Sequence, residues 1–145
     1  MTTPMLDDGE RALWHAFKRA GEVVRGAVAE EITRATGLSD PDFGILTRLD
    51  DAGGSLRQNE LAASMGWHRS RLSHQLTRMA TRDLVTRSDV VGGVEIGLTA
   101  AGRDQATAAR PVHAAAVRAH LLDRIPDDGR ARLADLLAAL ADQDA

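Results

Sequence analysis

The chain has 145 residues, a length that is enough for one domain with its own hydrophobic core. Its formal net charge is −3. It contains no cysteine, and this excludes disulfides, thiolate metal sites and thiol-based redox sensing. No signal peptide is evident, and no apolar run reaches the roughly 20 residues of a membrane span. We therefore expect a cytoplasmic protein with no membrane partner.

Two helices are predicted at the start of the chain. Asp8 is expected to cap a long helix, in which apolar residues recur at helical spacing as far as Ile32, and Gly37 ends it. The Ser39-Asp40-Pro41 segment then predicts a second helix, because it places a capping residue directly before a proline. This helix is expected to end near Asp50.

A short third helix is predicted over Gln58–Met65, and Gly66 is expected to make the sharp turn that follows it. The start of this helix has two interpretations. Ser55 with Gln58 is typical of a capping box, whereas Leu56 favours a short strand.

The fourth predicted helix, His68–Arg82, has one apolar and one basic face. The apolar residues recur at steps of four and three, and they are Leu72, Leu76 and Met79. The opposite face carries Arg71, Gln75, Arg78 and Arg82. Because this helix contains no carboxylate, we expect an unopposed guanidinium face suited to the major groove of DNA.

A two-stranded ribbon is predicted after this helix. Val94, Ile96 and Leu98 alternate with other residues as in a half-buried strand, and Gly92-Gly93 suits a hairpin turn that pairs this strand with Val85–Asp89. A ribbon in this place is typical of a wing.

The last part of the chain is predicted to be helical. Thr99 can cap an alanine-rich region that extends to Arg124, and Pro111 is expected to kink it or divide it in two. A final helix opens at Pro126 and carries Leu133, Leu136, Leu137 and Leu140. These terminal helices offer more apolar surface than one small module can cover, which favours a homodimer.

Charge is unevenly distributed along the chain. Between Ser55 and Asp89 there are six basic residues and three acidic ones, a local charge of +3, so the remainder carries −6. A basic patch on an acidic body is compatible with DNA binding and reduces unspecific adhesion.

The order of elements, with Glu60-Leu61-Ala62, the segment from Ser70 to Met79 and Leu98-Thr99-Ala-Ala-Gly102, resembles the MarR family of bacterial transcription regulators. The resemblance implies a single domain over residues 1–145, mainly α-helical with a small β-hairpin wing. In it, residues 38–100 form the winged helix-turn-helix, and residues 8–36 and 101–143 form dimerisation helices. It further implies a homodimer on a pseudo-palindromic DNA operator, usually a repressor, which a small aromatic or phenolic effector releases.

The family's groove-reading positions fall, by this resemblance, on Arg69, Ser70, Arg71, Ser73, His74, Gln75 and Arg78, with Arg87 as a further phosphate contact. Arginine can fork onto guanine and glutamine onto adenine, while serine suits phosphates. The wing departs from the family, because Asp89 is followed by Val90 and Val91 and the usual minor-groove arginine is missing.

Other candidate sites have simpler interpretations. Trp14, Phe17, Phe43, Trp67 and His113 could line an effector pocket, although large aromatic residues belong to a core more often. His113 and His120 share a helical face but have no evident third ligand, so we expect no metal and no cofactor. No catalytic motif is visible, and we expect no enzyme.

The missing wing arginine leaves one alternative open. The chain could be a MarR-like scaffold that has lost DNA binding and that binds, or even transforms, a small molecule in the cleft between its two regions.

Overall fold

The computed structural model describes residues 1–143 and is mainly α-helical with a small antiparallel sheet. In chain order the elements are α1 (Asp8–Thr36), α2 (Asp40–Asp51), β1 (Ser55–Arg57), α3 (Gln58–Met65), α4 (Arg69–Thr81), β2 (Val85–Val90), β3 (Gly93–Leu98), α5 (Ala100–His120) and α6 (Gly129–Ala141), with a 3₁₀ turn at Leu122–Arg124. The predicted fold class, a winged helix-turn-helix with long terminal helices, is confirmed. Within the described residues no helix has both the length and the apolar character that a membrane crossing requires.

The first two helices begin with reciprocal side-chain caps. The cap of α1 is Asp7, one residue before the predicted Asp8, because Asp7 Oδ1 accepts from the amide of Glu10 at 2.8 Å. The cap of α2 is Ser39, whose Oγ accepts from the amide of Asp42 at 3.1 Å. The amide of Ser39 in turn donates to Asp42 Oδ2 at 2.9 Å. These bonds satisfy amides that a helix start leaves unpaired.

The sheet has the strand order β1-β3-β2, with both neighbouring pairs antiparallel. Leu56 lies opposite Ile96, so the strand interpretation of this segment is confirmed and the capping box at Ser55 is wrong. Between β2 and β3 the turn consists of Val91 and Gly92, since Val90 pairs with Gly93, so the predicted turn at Gly92-Gly93 is wrong by one residue. The predicted two-stranded wing therefore has a third strand beside it.

The described chain divides into two compact units. The central unit comprises residues 29–113, and the terminal unit comprises residues 1–28 with the chain from residue 114 onwards. Residues 29–36 of α1 and 100–113 of α5 thus belong to the unit that contains the helix-turn-helix.

The central unit has an apolar core. Its fully buried large side chains are Ile32, Leu38, Ile45, Leu46, Leu49, Leu61, Leu72, Leu76, Met79 and Ile96. The predicted apolar stripe of α4 is confirmed, because all three of its members are in this set. Their burial fixes which face of α4 is left for a partner.

The start of α5 is fixed by Thr99 and Gly102. Thr99 Oγ1 accepts from the amide of Gly102 at 2.9 Å, as predicted for a cap, and donates to the carbonyl of Asp83 at 2.7 Å. A β-carbon on Gly102 would overlap the carbonyl oxygen of Leu84. Only glycine fits there, which explains this part of the Leu98-Thr99-Ala-Ala-Gly102 segment.

The terminal unit leaves much of its apolar surface open. Its exposed large apolar residues from Leu6 onwards, here named the terminal apolar surface, are Leu6, Leu13, Trp14, Phe17, Val23, Leu136, Leu137 and Leu140. Several of them line an open cavity of about 520 Å³. Lys18 Nζ lies 5.6 Å from the centre of the Trp14 ring.

Two predictions about the last helices need correction. Helix α5 continues through Pro111, so the prediction that this proline divides the region into two helices is wrong. The final helix begins at Gly129 rather than at Pro126. The break between α5 and α6 lies instead around the 3₁₀ turn at Leu122–Arg124.

Candidate nucleic-acid interface

The N-terminus of α4 is exposed and polar. His68 caps it, since His68 Nδ1 accepts from the amide of Ser70 at 3.3 Å and lies 3.0 Å from Ser70 Oγ. Arg69, Ser70 and Arg71 are all exposed. A helix N-terminus with free amides and nearby guanidinium groups is suited to a phosphate.

Arg71 is held by an aromatic ring. Its guanidinium carbon lies over the Trp67 ring, 3.8 Å from the ring centre, in a cation–π contact. Trp67 was predicted as an effector residue, and the contact described for it is with this arginine. The stacking reduces the freedom of a long side chain, so less entropy is lost when Arg71 binds a partner.

Gln75 is not on the exposed face, and that part of the prediction is wrong. Its side chain is 5% exposed, and its amide nitrogen donates to Asp42 Oδ1 at 2.7 Å. Its amide oxygen accepts from Arg78 Nη2. Because both ends of the amide are occupied within the protein, Gln75 positions its neighbours rather than offering a free edge to adenine.

The prediction that no carboxylate faces the guanidinium groups of α4 is also wrong. Asp42 is almost fully buried, and its Oδ2 accepts from Arg82 Nη1 at 2.8 Å, in an ion pair that leaves Arg82 45% exposed. The carboxylate comes from α2, so the absence of acidic residues within α4 did not exclude it. Asp42, Gln75, Arg78 and Arg82 form a polar cluster, here named the Asp42 cluster, beside an open cavity of about 470 Å³.

Arg87 reaches from the wing to α4. Its Nη2 donates to the carbonyl of Ser73 at 2.7 Å and to Thr77 Oγ1 at 2.6 Å. Ser73 is half-buried, whereas His74 and Arg87 are exposed. The guanidinium of Arg87 has further donors and remains on the surface, so it keeps the capacity to bind a phosphate.

The predicted DNA residues thus fall into two groups. Arg69, Ser70, Arg71, His74, Arg78 and Arg87 are exposed in the central unit, while Ser73 is half-buried and Gln75 is buried. Asp42 was not among the residues predicted from the sequence. The signal available was its place in the cap of α2, but nothing in that local pattern indicated its contacts with α4.

The five predicted effector residues do not form one group. Trp14 and Phe17 stack with ring centres 6.1 Å apart in the terminal unit. Phe43 and His113 stack at 4.8 Å in the central unit, and Trp67 lies against Arg71. In the part of the chain that the structure describes, no group of three acidic or histidine side chains is arranged to hold a metal ion.

Comparison with known proteins relates the chain to one family. The sequence model of the MarR family matches residues 36–93. The structure of AbsC, a MarR family transcriptional regulator from Streptomyces coelicolor, is 29% identical, with a TM-score of 0.88 over 96% of each chain. Residues 36–93 thus match the MarR family of transcriptional regulators, and nearly the whole chain has the fold of its members.

Two further MarR-type structures are similar along most of the chain. Sco3205 from Streptomyces coelicolor, solved in complex with DNA, is 26% identical, with a TM-score of 0.88 over 97% of this chain and 90% of its own. CouR from Rhodococcus jostii RHA1, bound to p-coumaroyl-CoA, is 25% identical, with a TM-score of 0.76 over 92% and 94%. A search of curated sequences found no significant match.

Similarity to the MarR family separates the two functions that the sequence left open. MarR proteins are transcriptional regulators and not enzymes. The DNA-binding regulator is therefore favoured over a scaffold that has lost DNA binding and transforms a small molecule.

Proposed function

We propose that this protein is a homodimeric repressor that reads a pseudo-palindromic double-stranded operator with α4 and leaves it when a small aromatic or phenolic effector binds. The observation that carries the proposal is the exposed polar surface of α4. Arg69, Ser70, Arg71, His74 and Arg78 lie on it, and Arg87 lies beside it. The buried leucines of the same helix hold this surface outward.

Arg71 and Arg78 are the proposed base readers. Each has guanidinium donors left after its contacts within the protein, and a bidentate contact with guanine contributes about 1–3 kcal/mol of discrimination. Ser70, Ser73, His74 and Arg87 are proposed to bind phosphates or base edges around them. Gln75 is proposed to act indirectly, by holding Arg78.

The terminal apolar surface supports the dimer. It contains two aromatic and several leucine side chains that one chain leaves in water. Exposed apolar surface of this kind is typical of an interface between subunits. Two copies of α4 in such a dimer can then read half-sites about 34–36 Å apart on one face of the duplex.

An aromatic effector is supported by relatives and by two groups of residues. One similar structure holds 2,4-dichlorophenol, at 20% identity, and CouR holds p-coumaroyl-CoA. Here the cavity beside Trp14 and Phe17 measures about 520 Å³, within the usual range for ligands. Phe43 and His113 offer a second aromatic surface. The effector must bind one spacing of the two α4 helices better than the other.

DNA binding is tested by a mobility-shift assay with the duplex upstream of the protein's own gene. Arg71→Ala and Arg78→Ala should each weaken binding by about tenfold, since one lost arginine contact corresponds to about 1–3 kcal/mol. The matched control is Arg34→Ala, an exposed arginine paired with Glu30 on α1. Unchanged affinity and unchanged salt dependence in both α4 variants would show that α4 is not the reading helix.

Release by an effector is tested with the same complex. A panel of phenols and hydroxycinnamate derivatives should include compounds that dissociate the DNA and raise expression from a reporter in cells. Trp14→Ala and His113→Ala then decide which aromatic group binds the compound. If expression falls when the gene is deleted, the regulator is an activator and the repressor role is wrong.

A further inference from the structure

The outer part of the wing, beyond Arg87, carries no positive charge of its own. From Ser88 to Leu98 the sequence has two carboxylates, Asp89 and Glu95, and neither lysine nor arginine. An acidic ribbon beside DNA would be repelled by the phosphates. A wing that approaches the duplex therefore needs a cation from another part of the chain.

Arg57 brings a cation to the wing turn. It is the last residue of β1, and its Nη1 donates to the carbonyl of Val91 at 2.9 Å, across 34 positions of sequence. A β-carbon on Gly92 or Gly93 would lie 3.6 or 3.7 Å from the same nitrogen. The guanidinium therefore lies against the bare backbone of the turn.

The neighbouring carboxylate does not capture this guanidinium. Glu95 is the direct cross-strand partner of Arg57 in the sheet, yet the described hydrogen bond of Arg57 is with the Val91 carbonyl. Arg57 is exposed, and one bond to a carbonyl leaves most of its donors free. Val91 beside it is 95% exposed, so the whole turn projects into solvent.

We propose that Arg57, held on the wing turn by the Val91 carbonyl, inserts into the minor groove of the operator. The protein then prefers A·T pairs at the position where Arg57 enters the groove. A narrow A·T minor groove has an enhanced negative potential that favours a guanidinium, and the exocyclic amino group of guanine obstructs it. The side chain of Arg57, at the end of β1, thus supplies the cation that the outer part of the wing lacks. This inference rests on the proposed DNA binding.

The test begins with full-length protein and a selection of bound duplexes from a randomised 30-base-pair pool, for which affinity is then measured by fluorescence anisotropy. In the selected duplex, A·T pairs outside the α4 footprint are replaced by G·C or by inosine·cytosine. Inosine lacks the minor-groove amino group but keeps the major-groove edge of guanine.

Wild-type protein should bind the G·C duplex about tenfold more weakly than the A·T duplex, as one unfavourable pair commonly does, and inosine·cytosine should restore the affinity. Arg57→Gln should bind all three duplexes with one, weaker affinity. Arg57→Lys keeps the charge without the fork, and should retain only part of the preference. Arg34→Gln, the control, should retain all of it.

Three outcomes would overturn the inference. If Arg57→Gln keeps the wild-type ranking of the three duplexes, another residue reads the groove. If it lowers all affinities equally while leaving the ranking intact, Arg57 only braces the turn. If wild-type protein enriches no duplex, the proposed function fails with it, and this result is distinct from the other two.

Discussion

The central and terminal units share the same helical spacing of apolar residues, but they differ in how far those residues are buried. Helix α1 contributes to both, and its apolar residues recur at one spacing throughout. Yet Ile32 in the central unit is fully buried, whereas Leu13 in the terminal unit is 72% exposed. An apolar stripe thus predicts which face of a helix will be covered, but not whether its own chain or a second copy covers it.

The largest effect is expected from Gly102→Ala in the central unit. The added β-carbon would overlap the Leu84 carbonyl and press on Leu98, so α5 must shift, at a cost of about 3 kcal/mol in the free energy of unfolding. Chemical denaturation measures it. The control is Gly26→Ala in α1, where a β-carbon meets no atom within 4 Å in the described chain. There alanine should stabilise by about 0.5–1 kcal/mol. Equal effects at the two positions would remove the contrast between the units.

An intermediate effect is expected from Asp42→Ala, also in the central unit. The change leaves the Gln75 amide and the Arg82 guanidinium without their acceptor, and it removes half of the α2 cap. Because Arg82 is partly in water, we expect a loss of about 2 kcal/mol rather than the larger value for a buried pair.

Asp40→Ala is the control for Asp42→Ala, since Asp40 is exposed in the same first turn of α2. It should cost about 0.3–1 kcal/mol through the helix dipole alone. Thermal unfolding at two salt concentrations separates them, because only the exposed charge is strongly screened. An unfolding free energy for Asp42→Ala equal to that for Asp40→Ala would show that the Asp42 cluster contributes nothing to stability.

The smallest effect is expected from Leu13→Ser in the terminal unit. Within one chain the side chain is already mostly in water, so its replacement changes the subunit itself little. In the proposed dimer it should weaken association by about 1–2 kcal/mol, which sedimentation velocity detects as a higher dissociation constant. Val91→Ser, equally apolar but at the wing turn, should leave association unchanged. A dimer that is insensitive to Leu13→Ser does not use this part of the surface.

The sequence predicts those parts of the fold that depend on neighbouring residues. The stripe of α4, the cap at Thr99 and the turn at Gly66 all follow from spacings of a few residues, and all are confirmed. The Asp42 bond to Gln75 joins residues 33 positions apart, and no local pattern contains it. For this reason the basic face of α4 was predicted to be unopposed, when a helix elsewhere supplies the carboxylate.

The wing gives the same lesson on a smaller scale. Its hairpin follows from alternation and from the glycine turn, but β1 has three residues, too few for a period to be evident. Only the sheet register shows that Arg57 is beside the wing. A cation that is distant in sequence could not be assigned to the turn before the strands were paired.

The Asp42 carboxylate accepts from Ser39 in the cap of α2, from Gln75 in α4 and from Arg82 directly after α4. One acidic side chain therefore forms hydrogen bonds with residues at the ends or in the interior of two helices. Its replacement in evolution is expected to require further substitutions in both helical regions. In relatives without an acidic residue at position 42, the residues at positions 75 and 82 should also differ and should be side chains that need no acceptor. The three positions are then inherited as a group, and a regulator engineered with a new α4 must carry the matching residue of α2 with it.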